Sequence, residues 1–149
     1  TIAHAAARFD NADVLQWIVD TPGLGTDFVQ VTSRRKRTIA HDAADADCVG
    51  VLEWIRATPE LGVDLLKSPD DIGYTIAHFA AARGHVQVLQ WINEQPSLRA
   101  LLVKQSKADG RHTIAHVAAN SGELDVLRWI LDTPQLGPPL LKQVTSHGS

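Results

Sequence analysis

The chain has no methionine, one cysteine (Cys48), one tyrosine and three phenylalanines among its 149 residues. Without a methionine it does not start where a gene product starts, and we expect a segment of a longer protein. A lone cysteine excludes an internal disulfide framework and fits a reducing compartment, so the expected location is the cytoplasm. No apolar run approaches the roughly 18–20 residues that cross a bilayer, so no membrane association is expected. No signal-peptide pattern opens the chain. A basic excess is lacking too: 14 Lys and Arg stand against 17 Asp and Glu, a formal charge of -3. Nucleic-acid recognition draws on a basic face, and none is expected here. With 44% hydrophobic and 21% charged residues, the composition is that of a folded chain, enough for one domain or one elongated array.

What the chain does have is repetition. The tetrapeptide TIAH begins at Thr1, Thr38, Thr75 and Thr113, giving periods of 37, 37 and 38 residues. The agreement runs on through Val14-Leu15, Val51-Leu52, Val88-Leu89 and Val126-Leu127, then Trp17-Ile18, Trp54-Ile55, Trp91-Ile92 and Trp129-Ile130. Pro22, Pro59, Pro96 and Pro134 follow, each with a leucine two residues later. A fixed period in this range defines a solenoid, a propeller or an array.

Each copy predicts two short helices. Thr75 is a good N-cap, since its hydroxyl can accept from an otherwise unpaired backbone N–H. Ala77, Ala80 and Ala81 form a small-residue face. Gly84 can end the helix in a left-handed conformation, with Asp10 and Asp47 in that place in the first two copies. The second helix carries Val88, Leu89 and Ile92 with Trp91 beside them, so small residues on one helix and bulky ones on the other allow close packing, the large side chains burying against the neighbouring copy. The stretch TPELGVDLLK adds length. Thr58 can cap, Pro59 can open a new turn, and Leu61 and Leu65 lie one turn apart, which predicts a short third helix or a longer second one.

The string TIAHFAAARGHVQVLQWI resembles the ankyrin repeat, whose pattern runs T-P-L-H-x-A-A, two residues, G-H, two more, and an apolar V-V-x-L-L helix. The resemblance covers essentially the whole chain. Ile and Ala replace Pro and Leu after the threonine, Trp takes a leucine position, and each copy exceeds the usual 33 residues by about four. It implies an all-α ankyrin-repeat solenoid of stacked helix-turn-helix units with projecting finger loops. The single domain is 1–149, divided 1–37, 38–74, 75–112 and 113–149.

His4, His41, His78 and His116 raise the question of metal or catalysis. Equivalent residues in an array lie about 8–10 Å apart, whereas zinc holds nitrogen ligands at about 2 Å. Successive histidines cannot share an ion. The resemblance implies a structural role for them, hydrogen-bonded around the threonine-led turn and to the adjacent copy, and likewise for His85. No P-loop, G-x-S-x-G or H-E-x-x-H is present. Asp42, Asp45 and Asp47 lack the glycine and distal glutamate of a calcium loop, and Cys48 has no basic neighbour to activate it. No catalytic residue, metal, cofactor or small-molecule substrate is expected.

Function is then sought where the copies differ. The resemblance implies that a partner protein meets the finger loops and the exposed side of the first helices, which together form a concave surface. On this chain the first loop presents Arg34, Arg35, Lys36 and Arg37, the second Asp70, Asp71, Ile72 and Tyr74, and the last Lys107, Asp109, Arg111 and His112. The first helices add Arg8, Phe9, Asp45, Arg83, Asn120 and Ser121, with Asp42 and Phe79 directly after the histidine. Partner contacts are expected from Arg34, Arg35, Lys36, Arg37, Asp42, Asp45, Asp71, Ile72, Tyr74, Phe79, Arg83, Arg111 and His112. The mixed charge fits steering of a partner protein, and Arg and aromatic side chains are the usual hot-spot types. At both ends the apolar pattern persists, with Val19 and Leu131 where the middle copies have Arg56 and Asn93, so more protein is expected against at least one end. Longer, irregular loops also resemble ankyrin domains of effectors that bacteria inject into host cells. In OspC/CopC-like effectors such a domain holds host caspases for an adjoining ADP-ribosyltransferase-like domain. That resemblance implies an alternative, a substrate-recruiting part of a larger enzyme working in host cytoplasm. A purely structural spacer is the third alternative.

Overall fold

The computed structural model describes residues 1–107 and 111–142, and these are helical with no strand. Copy one contains α1 (Ile2–Arg8), α2 (Ala12–Asp20) and the short α3 (Gly25–Val29). Copy two contains α4 (Ile39–Asp45), α5 (Val49–Ala57) and α6 (Gly62–Lys67). Copy three contains α7 (Ile76–Arg83), α8 (Val86–Glu94) and a 3-10 segment, Arg99–Val103, in place of a third α-helix. Copy four contains α9 (Ile114–Ser121), α10 (Leu124–Asp132) and α11 (Gly137–Leu141).

The first helices stack in sequence, α1 on α4 on α7 on α9, and this is the closest approach between copies. The cause is their alanines: Ala3, Ala7, Ala40, Ala43, Ala44, Ala77, Ala80, Ala81 and Ala118 are buried, and small side chains let the helix axes come near. The bulky side chains of the second helices, Leu15, Ile18, Leu52, Ile55, Leu89, Ile92 and Ile130, are all fully buried, and the second helices of successive copies also meet, α2 with α5, α5 with α8 and α8 with α10. Each such side chain stabilises the fold by about 1.5–3 kcal/mol.

The TIAH turn works alike in successive copies. In copy two Thr38 Oγ1 accepts from Ala40 N–H, and the Thr38 N–H donates to His41 Nδ1 at 2.9 Å. Nδ1 being the acceptor, Nε2 carries the proton and donates to Tyr74 O at 3.1 Å. His78 repeats this with Thr75 N–H (3.1 Å) and His112 O (3.0 Å), and His4 Nε2 reaches Arg37 O at 3.3 Å. Each histidine thus ties its own helix cap to the residue preceding the next copy's threonine. His85 Nε2 makes a further link to Asp45 O at 2.9 Å.

The tryptophans form a second ladder on the other side. Trp54, Trp91 and Trp129 donate their indole N–H to Gln16, Glu53 and Gln90 at 2.9, 3.0 and 2.9 Å, always the residue before the preceding copy's tryptophan. Helix ends follow the expected chemistry: Gly84 and Gly122 adopt φ of 76° and 74°, and Asp10 and Asp47 adopt 57° and 61°. One cap differs. Thr58 closes α5 by donating its hydroxyl back to Trp54 O at 2.7 Å, and Leu61 stands at the N-cap of α6 with no side-chain bond. The residue following the second-helix isoleucine is half-buried at Val19 and exposed at Leu131. Phe9 and Trp17 on copy one are 76% and 58% exposed.

Candidate protein-binding surface

Three loops project between the copies, and each closes with the same backbone bond. Ser33 N–H donates to Arg37 O (2.8 Å), Asp70 N–H to Tyr74 O (2.9 Å), and Ser106 N–H to His112 O (2.9 Å). The loops are also joined to one another: Asp71 N–H donates to Arg35 O at 2.9 Å and Lys107 N–H to Ile72 O at 3.0 Å. The second joint explains Gly73, whose φ is +84° and where an added Cβ would overlap the Lys107 backbone nitrogen. The loop tips are therefore joined as a ridge by main-chain bonds, with the Asp70 and Ser106 side chains bracing the second and third loops from within.

On that ridge Arg34, Arg35, Lys36, Asp71 and Arg111 are exposed, and Ile72 is half-buried. Arg35 and Lys36 have left-handed backbones, φ 62° and 59°, uncommon outside glycine. Asp70, expected as a loop charge, is buried, because its Oδ1 accepts from the N–H groups of Ile72 (3.1 Å) and Tyr74 (2.8 Å). Asp109 lies outside the described residues.

Behind the ridge, planar side chains stack at the foot of each loop. Arg37 lies over the Phe79 ring, 4.4 Å from its centroid. Tyr74 stacks on His78 at 4.9 Å and meets Phe79 edge-on at 6.0 Å, and His112 stacks on His116 at 5.8 Å. Tyr74, Phe79 and His112 are half-buried, so each offers an edge to a partner and its remaining surface to the stack. Burial raises the Tyr74 phenol above its ordinary pKa.

Asp42 is a correction to the expected partner contacts: the residue directly after the histidine turns inward here, and its carboxylate is fully buried. Arg37 Nη2 at 3.0 Å and Arg8 Nη2 at 3.4 Å cover it. Asp45, half-buried, pairs with Arg83 Nε at 3.0 Å and more loosely with Arg37 at 3.8 Å. Arg83 is exposed over 63% of its side chain. Cys48 is buried, its thiol pushed up by desolvation first and Asp10 second, which makes it a packing residue. Among the described residues no three His, Cys, Asp or Glu side chains converge as metal ligands would. No helix among them is long and apolar enough to cross a membrane.

Two features of the structure lie beyond the sequence reading. The role of Arg8 as a lid on Asp42 carries no signal in one sequence. The acceptors Gln16, Glu53 and Gln90 did carry one, a hydrogen-bonding residue before the tryptophan in three successive copies.

Residues 40–92 match the family model for ankyrin repeats (many copies). Among 351 solved chains that match, one comes from the crystal structure of the yeast ribosomal protein Rps3 in complex with its chaperone Yar1. It aligns with a TM-score of 0.66 over 87% of this chain and 89% of that chain, at 21% identity, a likeness of fold. No curated protein matches the chain. Residues 40–92 thus carry ankyrin repeats, and the described residues fold as an all-α ankyrin-repeat solenoid, an architecture whose repeats are protein-interaction modules.

Proposed function

We propose that the chain, acting as one array of four copies, binds a partner protein through its finger ridge and the adjoining concave side of the first helices, without catalysis of its own. The observation that supports this most is the ridge itself. Main-chain bonds from Arg35 to Asp71 and from Ile72 to Lys107 fix the loops while the side chains of Arg34, Arg35 and Lys36 stand in solvent. A surface ordered before binding loses less entropy when a partner docks, which is how recognition loops gain affinity. Two consecutive non-glycine residues in left-handed conformations point the same way, because such strain gathers at functional positions. Work in the cytoplasm is part of the proposal. Recruiting a substrate for an enzyme elsewhere on a longer polypeptide would use the same surface, and no residue described above favours it.

The test compares capture by the native protein with capture by a variant carrying Arg34→Ser, Arg35→Gly and Lys36→Gly, none of which touches the core. Arg37 and Tyr74 are left alone because they hold the stack together. A partner retained by the native protein and lost by an equally helical variant, with hydrogen-exchange protection on residues 33–37, supports the ridge. Equal capture by both sends the search to the opposite face.

A further inference from the structure

The row Arg8–Asp42–Arg37–Asp45–Arg83 crosses the first helices of copies one to three. Its two outer arginines, Arg8 and Arg83, stand 57% and 63% exposed, the Asp42 carboxylate is fully buried, and Arg37 and Asp45 between them are 28% and 26% exposed. Neither oxygen of Asp42 accepts a hydrogen bond of good geometry, so among the described residues the two arginines are its partners. Burying a carboxylate costs several kcal/mol, and ion pairs repay this only with good geometry and further hydrogen bonds. Asp42 lacks those further bonds. What the arrangement does achieve is to tether arginine heads at fixed places on an open face. Arg8 is 57% exposed and gives Asp42 one Nη2 contact, and Arg83 gives Asp45 its Nε, its two Nη groups having no partner among the described residues. A guanidinium has five N–H donors in a planar fork shaped for carboxylates.

The second helices are charged the other way. Helices α2, α5, α8 and α10 carry Asp13, Asp20, Glu53, Glu94, Asp125 and Asp132 against only Arg56 and Arg128. The formal charge of -3 therefore conceals a polarity, acidic on the second helices and basic at the first finger, while the first helices balance Arg8 and Arg83 against Asp42 and Asp45. Such a field orients a partner by charge complementarity.

We propose that this face is a preorganised clamp for carboxylates and that the partner it fits is an acidic protein segment lying across Arg8, Arg37 and Arg83 beside the basic finger. The inference rests on the protein-binding role proposed above. Nucleic acid fits less well, because Asp45 and Asp71 stand among the arginines, and a phosphate backbone charged at every nucleotide meets them where a peptide can space its carboxylates around them.

The experiment is a fluorescence-anisotropy titration with a labelled glutamate-rich peptide. Three first helices at about 10 Å spacing span about 20 Å, and an extended peptide of about eight residues reaches about 25 Å. A peptide with Gln for every Glu and an oligothymidylate of equal reach serve as comparisons. Two double variants change net charge identically: Arg8→Gln with Arg83→Gln on the clamp, and Arg56→Gln with Arg128→Gln on the second helices. Arg83→Gln is also tested alone, since it uncovers no buried charge and leaves Asp42 paired. The expected result is that the Glu peptide binds and the Gln peptide does not. The clamp pair should weaken binding about fivefold or more, and the second-helix pair less than about twofold. Equal effects of both pairs, tighter binding of the oligothymidylate, or no binding of the Glu peptide would each overturn the clamp. If a captured partner depends on the fingers but not on Arg8 and Arg83, the clamp fails and protein recognition stands. If neither set matters to capture, the binding role itself fails.

Discussion

Acid should loosen this fold through His78, by an amount its geometry allows us to work out. The residue is fully buried, and burial is the main reason its imidazole titrates at about 4 instead of 6.5. The bond to His112 O and the charge of Asp70 oppose that shift, while Lys104 and His112 add to it. The hydrogen bonds agree with a neutral ring. Nδ1 accepts from Thr75 N–H, so a second proton there would face another donor. In the unfolded chain the same ring takes up a proton near its ordinary pKa. Between about pH 6.5 and 4 the unfolded state thus holds more protons, and the stability present above about pH 6.5 drains away as pH falls. Linkage for this one group gives a slope of about 1.2 kcal/mol per pH unit near pH 5.5, and about 2.5 kcal/mol in all from about pH 7.5 to about pH 4.5. For a chain of this size that is about 5–10 °C in Tm. His41, also lowered chiefly by burial, acts in the same direction. The assay is urea unfolding across this range for the native protein and for His78→Asn. The variant should be weaker at every pH, yet its dependence on pH should be shallower by about 1 kcal/mol per unit, since other groups titrate equally in both. Parallel dependences would refute the reasoning.

Three further outcomes follow from the finger and clamp geometry. Lys36→Gly removes a left-handed strain of about 1–2 kcal/mol and adds about 0.5–1 kcal/mol of unfolded-state entropy, so chemical denaturation should show stability unchanged or raised by up to about 1 kcal/mol while partner capture weakens. A clear loss of stability would mean the conformation is not strained. Arg37→Met leaves the Asp42 carboxylate buried on Arg8 alone and should cost about 3 kcal/mol, whereas Asp42→Leu removes the buried charge and should cost less than about 1 kcal/mol. Equal losses in urea unfolding would show that the carboxylate is not a burden. Gly73→Ala both forces a side chain to φ +84° and displaces Lys107 N–H from Ile72 O, so it should cost about 2–3 kcal/mol and speed hydrogen exchange at the Lys107 amide.

The fold could be read from sequence because every copy repeats the same local instruction. A threonine that caps, alanines that allow close stacking and a left-handed Gly or Asp that ends the helix all act within a few residues, so spacing alone is informative. The third helices were harder. Thr58 sits where a cap for α6 would stand, but its hydroxyl reaches back to Trp54 O because the preceding helix still has unpaired carbonyls to satisfy. The tryptophan ladder needed one quantity that sequence does not hold, the offset between neighbouring copies that brings an indole to the residue before the previous tryptophan.

The candidate site was legible only as a set of positions, for a reason the residue after each TIAH histidine makes plain. Ala5, Asp42, Phe79 and Val117 occupy the same register of the same helix. Ala5 is exposed, Asp42 is buried under two arginines, Phe79 is half-buried beneath one of them, and Val117 is buried. The backbone treats the four alike, so the difference comes from what the adjoining copies and the loop foot place over each one. Arg37 is decisive: it belongs to the loop before copy two, yet its guanidinium covers Asp42 in that copy and Phe79 in the next. A residue that joins two copies in this way has no periodicity of its own. Consensus positions specify the stack, whereas the binding face is specified by departures from consensus whose meaning depends on neighbours about 37 residues away.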